Sequence, residues 1–341
     1  MITFLTKSLT ALDDNIVGFA NTLLETRENI FVGDVNSLRF INNSFLVNGV
    51  FYHEKQGVNA TWTAESTVAI ETSEIIWLFS SPADVYGLDI WSLLFALSQF
   101  APMVNNPATL LLVKNKAFVS CIDRQHRPEL IVSPLASDHQ TFSLEHERSI
   151  IKLLGEDRGK GVFIINPEDS NARVIQELLT GNTPDARLYD DPVNGIRYRF
   201  VTSQEALPQH IEYRIILCAG NVIGAYGKKP SGNDHRLHLR HGSTFQAVKD
   251  YELCFMEERW TPLAKKLQHL GINYCGIDVL NERVIELNPM NPGGLWRILA
   301  EEEKDLFPKA WSLIHQSLFG HKPNPSCHQG ITAFHFDTRS C

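Results

Sequence analysis

The sequence predicts an α/β protein that alternates strand and helix in its N-terminal part and turns to antiparallel sheet further on. Three observations carry this reading. Short apolar runs alternate with stretches of helical periodicity from Met1 to about residue 113. Later strand candidates are joined by turn signals as short as AGN and NER, too short for a crossover. The composition, 43% hydrophobic and 21% charged over 341 residues, is that of an ordinary globular chain.

Taken in order, MITFLT is a first strand, and DDNIVGFANTLLETR has the 3.6-residue spacing of an amphipathic helix. SEIIWLFSS, Ser73 to Ser81, is an apolar run between polar ends, as in a strand buried on both faces. DIWSLLFALSQFA reads as a helix and TLLLV as another short apolar element. HERSIIKLLGEDRGKGVFIINPED is strand, glycine-containing loop, strand. SNARVIQELLTG is a capped helix ending at Gly181. RYRFVTSQEAL, EYRIILCAGNVIGAYGK, NYCGIDVLN and RVIELNPMN follow as strands, with WTPLAKKLQHLG as a helix between them. From Gly320 the chain has little periodicity and reads as a tail.

The charge balance is 31 − 39 = −8, which disfavours broad phosphate-backbone binding and so a nucleic-acid partner. A few cations in a cleft still suffice to hold one phosphate group. The six cysteines, at 121, 218, 254, 275, 327 and 341, form no CxxC pair, so reduced thiols in a cytoplasm are expected. Lys7, Asp13 and Asp14 interrupt the N-terminal apolar stretch, unlike a signal peptide. Leu88 to Leu97 is too short to span a bilayer, so no membrane association is expected.

Three segments carry chemistry. In GIDVLNERVIELNPMNPGG, Glu286 and Asn288 stand two apart on a strand and share a face, and a hairpin brings Asp278 opposite them. Two carboxylates and an amide suit Mg²⁺, which takes one or two carboxylates plus substrate phosphates. An edge hairpin of solvated acids has the same spacing. In IIKLLGEDRGKGVF, Lys152 precedes a loop with Gly155, Gly159 and Gly161, whose backbone could approach phosphates; a surface turn reads alike. KKPSGNDHRLHLRHGS crowds Arg236, Arg240, His235, His238 and His241, aimed at an anion or merely solvated.

Together and in this order, the segments resemble an ATP-grasp ligase of the glutathione synthetase branch, with kinship to ribosomal-protein-modifying glutamate ligases. The resemblance covers about residues 106 to 318 and adds NKAF, which carries Lys116, and QEALP, from Gln204 to Pro208. It implies an ATP-grasp fold: an N-terminal Rossmann-like domain (1–105), a central subdomain with the phosphate loop (106–190), a C-terminal antiparallel subdomain with the metal hairpin (191–318) and a tail (319–341). It implies ATP and Mg²⁺ (one or two ions, Mn²⁺ substituting), with Asp278, Glu286 and Asn288 as metal ligands.

On the same resemblance, Lys116, Lys152, Gly159 and Gly161 meet the phosphates. Gln204, Glu205 and Leu207 hold the adenine, Glu212 the ribose, and Arg214 and Arg236 are catalytic. His238, Asn291, Gly293 and Gly294 fall at the substrate side. There the sequence departs from the family: His238 replaces an Asn, and Asn291 to Gly294 replace a Ser-Pro-Thr-Cys-like segment. LFSSPADVYG lacks the family's arginine, and the tail has no counterpart. The implied activity joins a small carboxylate to an amine through an acyl phosphate, releasing ADP. The alternatives are glutamate addition to a peptide or protein tail, and an ATP-binding sensor without turnover. The resemblance is compatible with a homo-oligomer.

Overall fold

The computed structural model describes residues 1–10, 12–26, 28–57, 61–155, 161–181, 199–208, 211–229 and 243–320. Its described strands form three sheets. The first contains β1 (Ile2–Thr6), β2 (Ile30–Asp34), β3 (Arg39–Ile41), β4 (Ser44–Tyr52), β5 (Ser66–Ala69), β6 (Ile75–Leu78) and β7 (Met103–Val104). The order is β3-β4-β2-β1-β6-β7, with β5 also on β4. β1 runs parallel to β2 and β6, and β6 to β7.

Helices α1 (Asp14–Glu25) and α2 (Asp89–Leu97) supply crossovers, so the expected alternation is present here. Asp13 starts α1 by accepting a 3.0 Å bond from the Asn15 N–H. All four residues of β6 are buried, as its unbroken apolar run requires. Residues 39–69, for which the periodicity predicts no element, add an antiparallel extension. Its β3–β4 turn rests on Asn42 and Asn43 at φ 52° and 63°.

The central part contains α3 (Pro107–Val113), β8 (Leu130–Ser133), α4 (Ala136–Glu145), β9 (Ser149–Leu153), β10 (Val162–Ile165), α5 (Ala172–Thr180) and β11 (Val201–Glu205). The apolar TLLLV lies in α3, begun by the Asn106 cap and Pro107. α5 ends at Gly181, whose φ of 71° is the left-handed cap expected there. The antiparallel order is β10-β9-β11-β8. β11 pairs with both β8 and β9, so it belongs to the central sheet. The division expected at residue 190 grouped this strand with the C-terminal part. Its pairing instead puts the passage to the next sheet between Glu205 and Glu212.

The third sheet contains β12 (Glu212–Cys218), β13 (Asn221–Lys229), β14 (Thr244–Ala247), β15 (Tyr274–Leu280) and β16 (Arg283–Asn288), in the order β14-β13-β12-β15-β16. Helix α6 (Asp250–His269) crosses between β14 and β15, and α7 (Leu295–Glu302) and α8 (Phe307–Phe319) follow. The NER turn is a two-residue hairpin with Asn281 at φ 48° and Glu282 at φ 59°. Ile215, Leu217 and Ile277 share a buried core cluster with Trp260, Ala264 and Leu267 of α6.

Ile216 and Cys218, on the other face of β12, share a second cluster with α1 and α8, so the first and third sheets are joined by apolar packing. Within that cluster Phe19 meets Phe307 edge-on at 5.0 Å and Trp77 meets Tyr274 at 5.2 Å. Asn105 latches the two parts. Its amide donates to the Tyr274 and Pro289 carbonyls, both at 2.7 Å, and accepts from the Asn273 and Tyr274 N–H groups. No described helix is long and apolar enough to cross a membrane. The expected tail lies outside the described residues from 321 onward.

Candidate functional site

A cleft of about 1830 Å³ is lined by residues of the second and third sheets and by loops that follow strands of the first, among them Lys7 after β1 and Phe79 to Ser81 after β6. Strand alternation explains its lining. On the central sheet, Ile150 and Lys152 of β9 and Gln204 of β11 point into the cleft, whereas Ile151 and Val201 pack into the core behind. Val162 and Ile164 of β10 complete an apolar wall around Lys152.

On the third sheet, register builds a row across four strands. Tyr226 pairs with Arg214, Arg214 with Asp278, and Asp278 with Glu286. One step away, Lys228 pairs with Glu212, and Gly276 with Asn288. Adjacent rows on one face place the charged groups within hydrogen-bond reach. Arg214 grips Asp278 with both arms of its fork: Nε to Oδ1 and Nη2 to Oδ2, each 2.7 Å. Lys228 Nζ reaches Asp278 Oδ1 at 3.0 Å and also bonds Glu212. Asn288 Nδ2 donates to Asp278 Oδ2 at 3.2 Å.

The two lysines expected at the phosphates come to this cluster from the central part. Lys116 opens a 3₁₀ turn, Lys116–Cys121, whose start Asn115 caps, and its Nζ lies 3.5 Å from Glu286 Oε1. Lys152 Nζ donates to the Ile285 carbonyl at 3.5 Å. Burial, only partly offset by Glu286, lowers the Lys152 ammonium below its ordinary value. Among the described residues Lys152 makes no ion pair, and a buried cation so placed is suited to an incoming anion.

The two buried acids are driven apart. For Asp278, burial pushes upward but Arg214 and Lys228 outweigh it, and its carboxyl lies well below the usual range. For Glu212, burial wins over Lys228, and its carboxyl is pushed up to about 7.

The hinge segment lines the cleft with Gln204, Glu205, Ala206 and Leu207. The Glu205 carboxylate is paired by Arg283, and the Ala206 N–H donates to the Arg148 carbonyl at 3.0 Å. Gly161, at φ 63°, turns the chain back onto Leu153, where a Cβ would stand 2.6 Å from the Leu153 side chain.

On the substrate side, Asn291, Pro292, Gly293 and Gly294 line the cleft beside Asp13 and Asp14 from α1's start. Gly294 takes φ 120°, and a Cβ there would stand 2.8 Å from the Tyr226 ring. Arg214 donates to the Pro292 carbonyl, and Asn15 to Asn291, tying this loop to the charged row and to α1. Gly159, Arg236 and His238 lie outside the described residues.

Sequence reasoning missed Lys228 and the N-terminal lining residues Asp13, Asp14, Ser80 and Ser81. The signal for Lys228 was weak. Counting back from the AGN turn puts Gly227 opposite Glu212, and only the register shift between Ile216 and Leu217 brings Lys228 there.

Residues 115–303 match the family model described as prokaryotic glutathione synthetase, ATP-grasp domain. The glutathione synthetase of Rhodopseudomonas palustris is 26% identical over 289 residues, covering 83% of this chain and 86% of the relative. That of Bradyrhizobium diazoefficiens is 26% identical over 220 residues, and there the chain covers 63% of the relative's length. Among solved structures, a D-cycloserine synthetase superposes with a TM-score of 0.62 at 13% identity, over 93% of this chain and 99% of that one. At that identity the superposition shows a shared fold alone.

Proposed function

We propose that this chain, which belongs to the prokaryotic glutathione synthetase ATP-grasp family, joins a small carboxylate to an amine through an acyl phosphate, releasing ADP and phosphate. That it is an ATP-dependent C–N ligase follows from the family; the mechanism and the residue roles are the proposal. The observation that carries it is the convergence of Lys116 and Lys152 from the central part on the cross-strand row Arg214–Asp278–Glu286 of the third sheet. Cations from one subdomain and a mixed row from another, across an open cleft, fit a polyphosphate bound between them.

Within this reading Lys116 and Lys152 offset the phosphate charge, and the hinge from Gln204 to Leu207 takes the adenine against Ile150, Val162 and Ile164. Asp278, Glu286 and Asn288 all line the cleft, and two carboxylates with an amide are a donor set that fits Mg²⁺ completed by phosphates. That ion supplies charge neutralisation at the phosphates when bound. Arg214 stands where its guanidinium can meet the transferred phosphoryl and the acyl-phosphate oxygens. Arg236 is assigned the same task by its place in the sequence alone. The substrate loop from Asn291 to Gly294, facing Asp13 and Asp14, receives the carboxylate and the amine. The cleft exceeds the roughly 300–1,000 Å³ of a one-ligand pocket, which suits a nucleotide with a second substrate.

The test is ADP release during a screen of amino acids and short peptides. Acceptor-dependent ADP, without AMP, is expected. ATP binding with Mg²⁺ but no acceptor-dependent ADP would instead favour a sensor. Glu286→Gln together with Asn288→Ala abolishes turnover; unchanged Mg-ATP affinity and turnover would refute the metal assignment.

A further inference from the structure

We propose that Glu129, His146 and Glu205 form a second metal site, apart from the β15–β16 hairpin, which takes a divalent transition ion of the Zn²⁺ class and clamps the start of the hinge. The site stands on the central sheet and does not depend on the ligase reading.

Three separate elements bring these residues to one end of the sheet. Glu129 immediately precedes β8, His146 follows α4, and Glu205 closes β11. Antiparallel pairing sets the two glutamates side by side: Gln204 pairs with Leu130, and the Glu205 N–H donates to the Glu129 carbonyl at 2.9 Å. The Ala206 N–H donates to the Arg148 carbonyl at 3.0 Å, which draws in the chain that follows α4. One ligand atom from each of the three residues lies within 4.8 Å of the other two. An imidazole and two carboxylates are a donor set for Zn²⁺, at bonds of about 2.0–2.2 Å, and small rotations of the glutamate side chains close the remaining gap.

The hydrogens favour a metal. His146 Nδ1 lies 2.8 Å from the Phe142 carbonyl, which can only accept, so Nδ1 carries a hydrogen. Stacking on the Phe142 ring, centroids 4.1 Å apart, holds the imidazole in place. The neutral ring then turns its Nε2 lone pair toward Glu129 Oε2 at 3.3 Å, acceptor against acceptor. A cation belongs between them. A proton on Nε2 serves a single acceptor, and Glu205 brings a second carboxylate to the same point. One metal ion takes a lone pair from all three.

The surroundings orient these donors as outer partners do in metal sites. The Phe142 carbonyl fixes the imidazole tautomer, Arg124 holds Glu129 Oε1, and Arg283 holds Glu205 Oε1, so each carboxylate has a second oxygen to offer. Glu145 and Glu147, on either side of His146, add negative charge against one further cation, Arg148. His146 and Glu205 line the cleft, so the open side of a three-ligand ion faces it. Because Arg283 belongs to β16, the ion joins β8, α4 and the hinge to the third sheet through Glu205.

The experiment titrates the full chain with Zn²⁺ by calorimetry in excess Mg²⁺, alongside Glu129→Gln and His146→Ala. Sites elsewhere are common to all three proteins and cancel in the difference. One Zn²⁺ site per chain should weaken at least about tenfold in each variant. Zn²⁺ should also raise the melting temperature of the wild type more than that of either variant. Glu129→Gln alters a half-exposed side chain and keeps its size, so the test stands even where His146→Ala does not fold. If either variant titrates like the wild type, the inference fails and the cluster is an imidazolium ion pair.

Discussion

Glu212→Gln removes the carboxyl that burial lifts toward neutrality, and it should change how stability responds to pH. Burial, the largest influence, pushes Glu212 from 4.5 to about 7 against the pull of Lys228. The folded state therefore binds more protons than the unfolded state between those values. Stability must fall as pH rises through that window, the reverse of a salt-bridged acid of lowered pKa. At about 1.36 kcal/mol for each pH unit over which the two states differ by one proton, the loss from about pH 5 to about pH 8 is on the order of 2–3 kcal/mol. At about 2.1 cal/mol/K of unfolding entropy per residue over the 341 residues, this is a melting-temperature change of about 3–4 °C.

Gln keeps an acceptor for Lys228 but does not titrate, and Lys228 retains Asp278 at 3.0 Å. The assay is thermal melting of both proteins across this range without nucleotide. Groups common to both cancel in the difference, so the wild type should lose about 3–4 °C relative to the variant as pH rises. Parallel curves, or a wild type that gains on the variant, would refute the argument.

Lys152→Met should weaken ATP binding at least about tenfold while raising the melting temperature, because it removes a buried charge held by a 3.5 Å donation to a backbone carbonyl. Calorimetry and melting measured together check it, and a destabilised variant would contradict it. Asn105→Ala breaks the four bonds that join the first and third sheets, and should lower stability by about 3 kcal/mol, read by chemical denaturation. Gly294→Ala meets the Tyr226 ring at a φ of 120°, and should reduce turnover more than nucleotide affinity. Iodoacetamide should label the exposed Cys121 and Cys254 in the folded protein and spare Cys218 and Cys275, whose thiols burial raises; mass mapping decides.

Much of this architecture was legible because local physics wrote it. β1, α1, β6 and α2 announce themselves by apolar period and length, and the Asn281–Glu282 turn by its place between two strands. The eight-residue interval from Asp278 to Glu286 was enough to expect the hairpin, and the register confirms that the two face each other. α4 was not legible, because half of its buried face is polar: His139 and Ser143 stand beside Ala136 and Phe142. His139 bonds Ser203 at 2.8 Å, and Gln176 bonds Ser143 at 2.8 Å, where an apolar stripe would have signalled a helix. The sheet of β11 was not legible either, since a strand's composition does not name its neighbours.

The sequence by itself determined the family, the order of the elements and the residue types that carry charge into the cleft. Only the tertiary structure decided which charges meet. A one-residue register shift between β12 and β13 brings Lys228 to Glu212, and the pairing of β12 with β15 sets Arg214 against Asp278. Side chains on a strand reverse face at every residue, so a single shift re-pairs a whole row, and no property of the isolated residues records it.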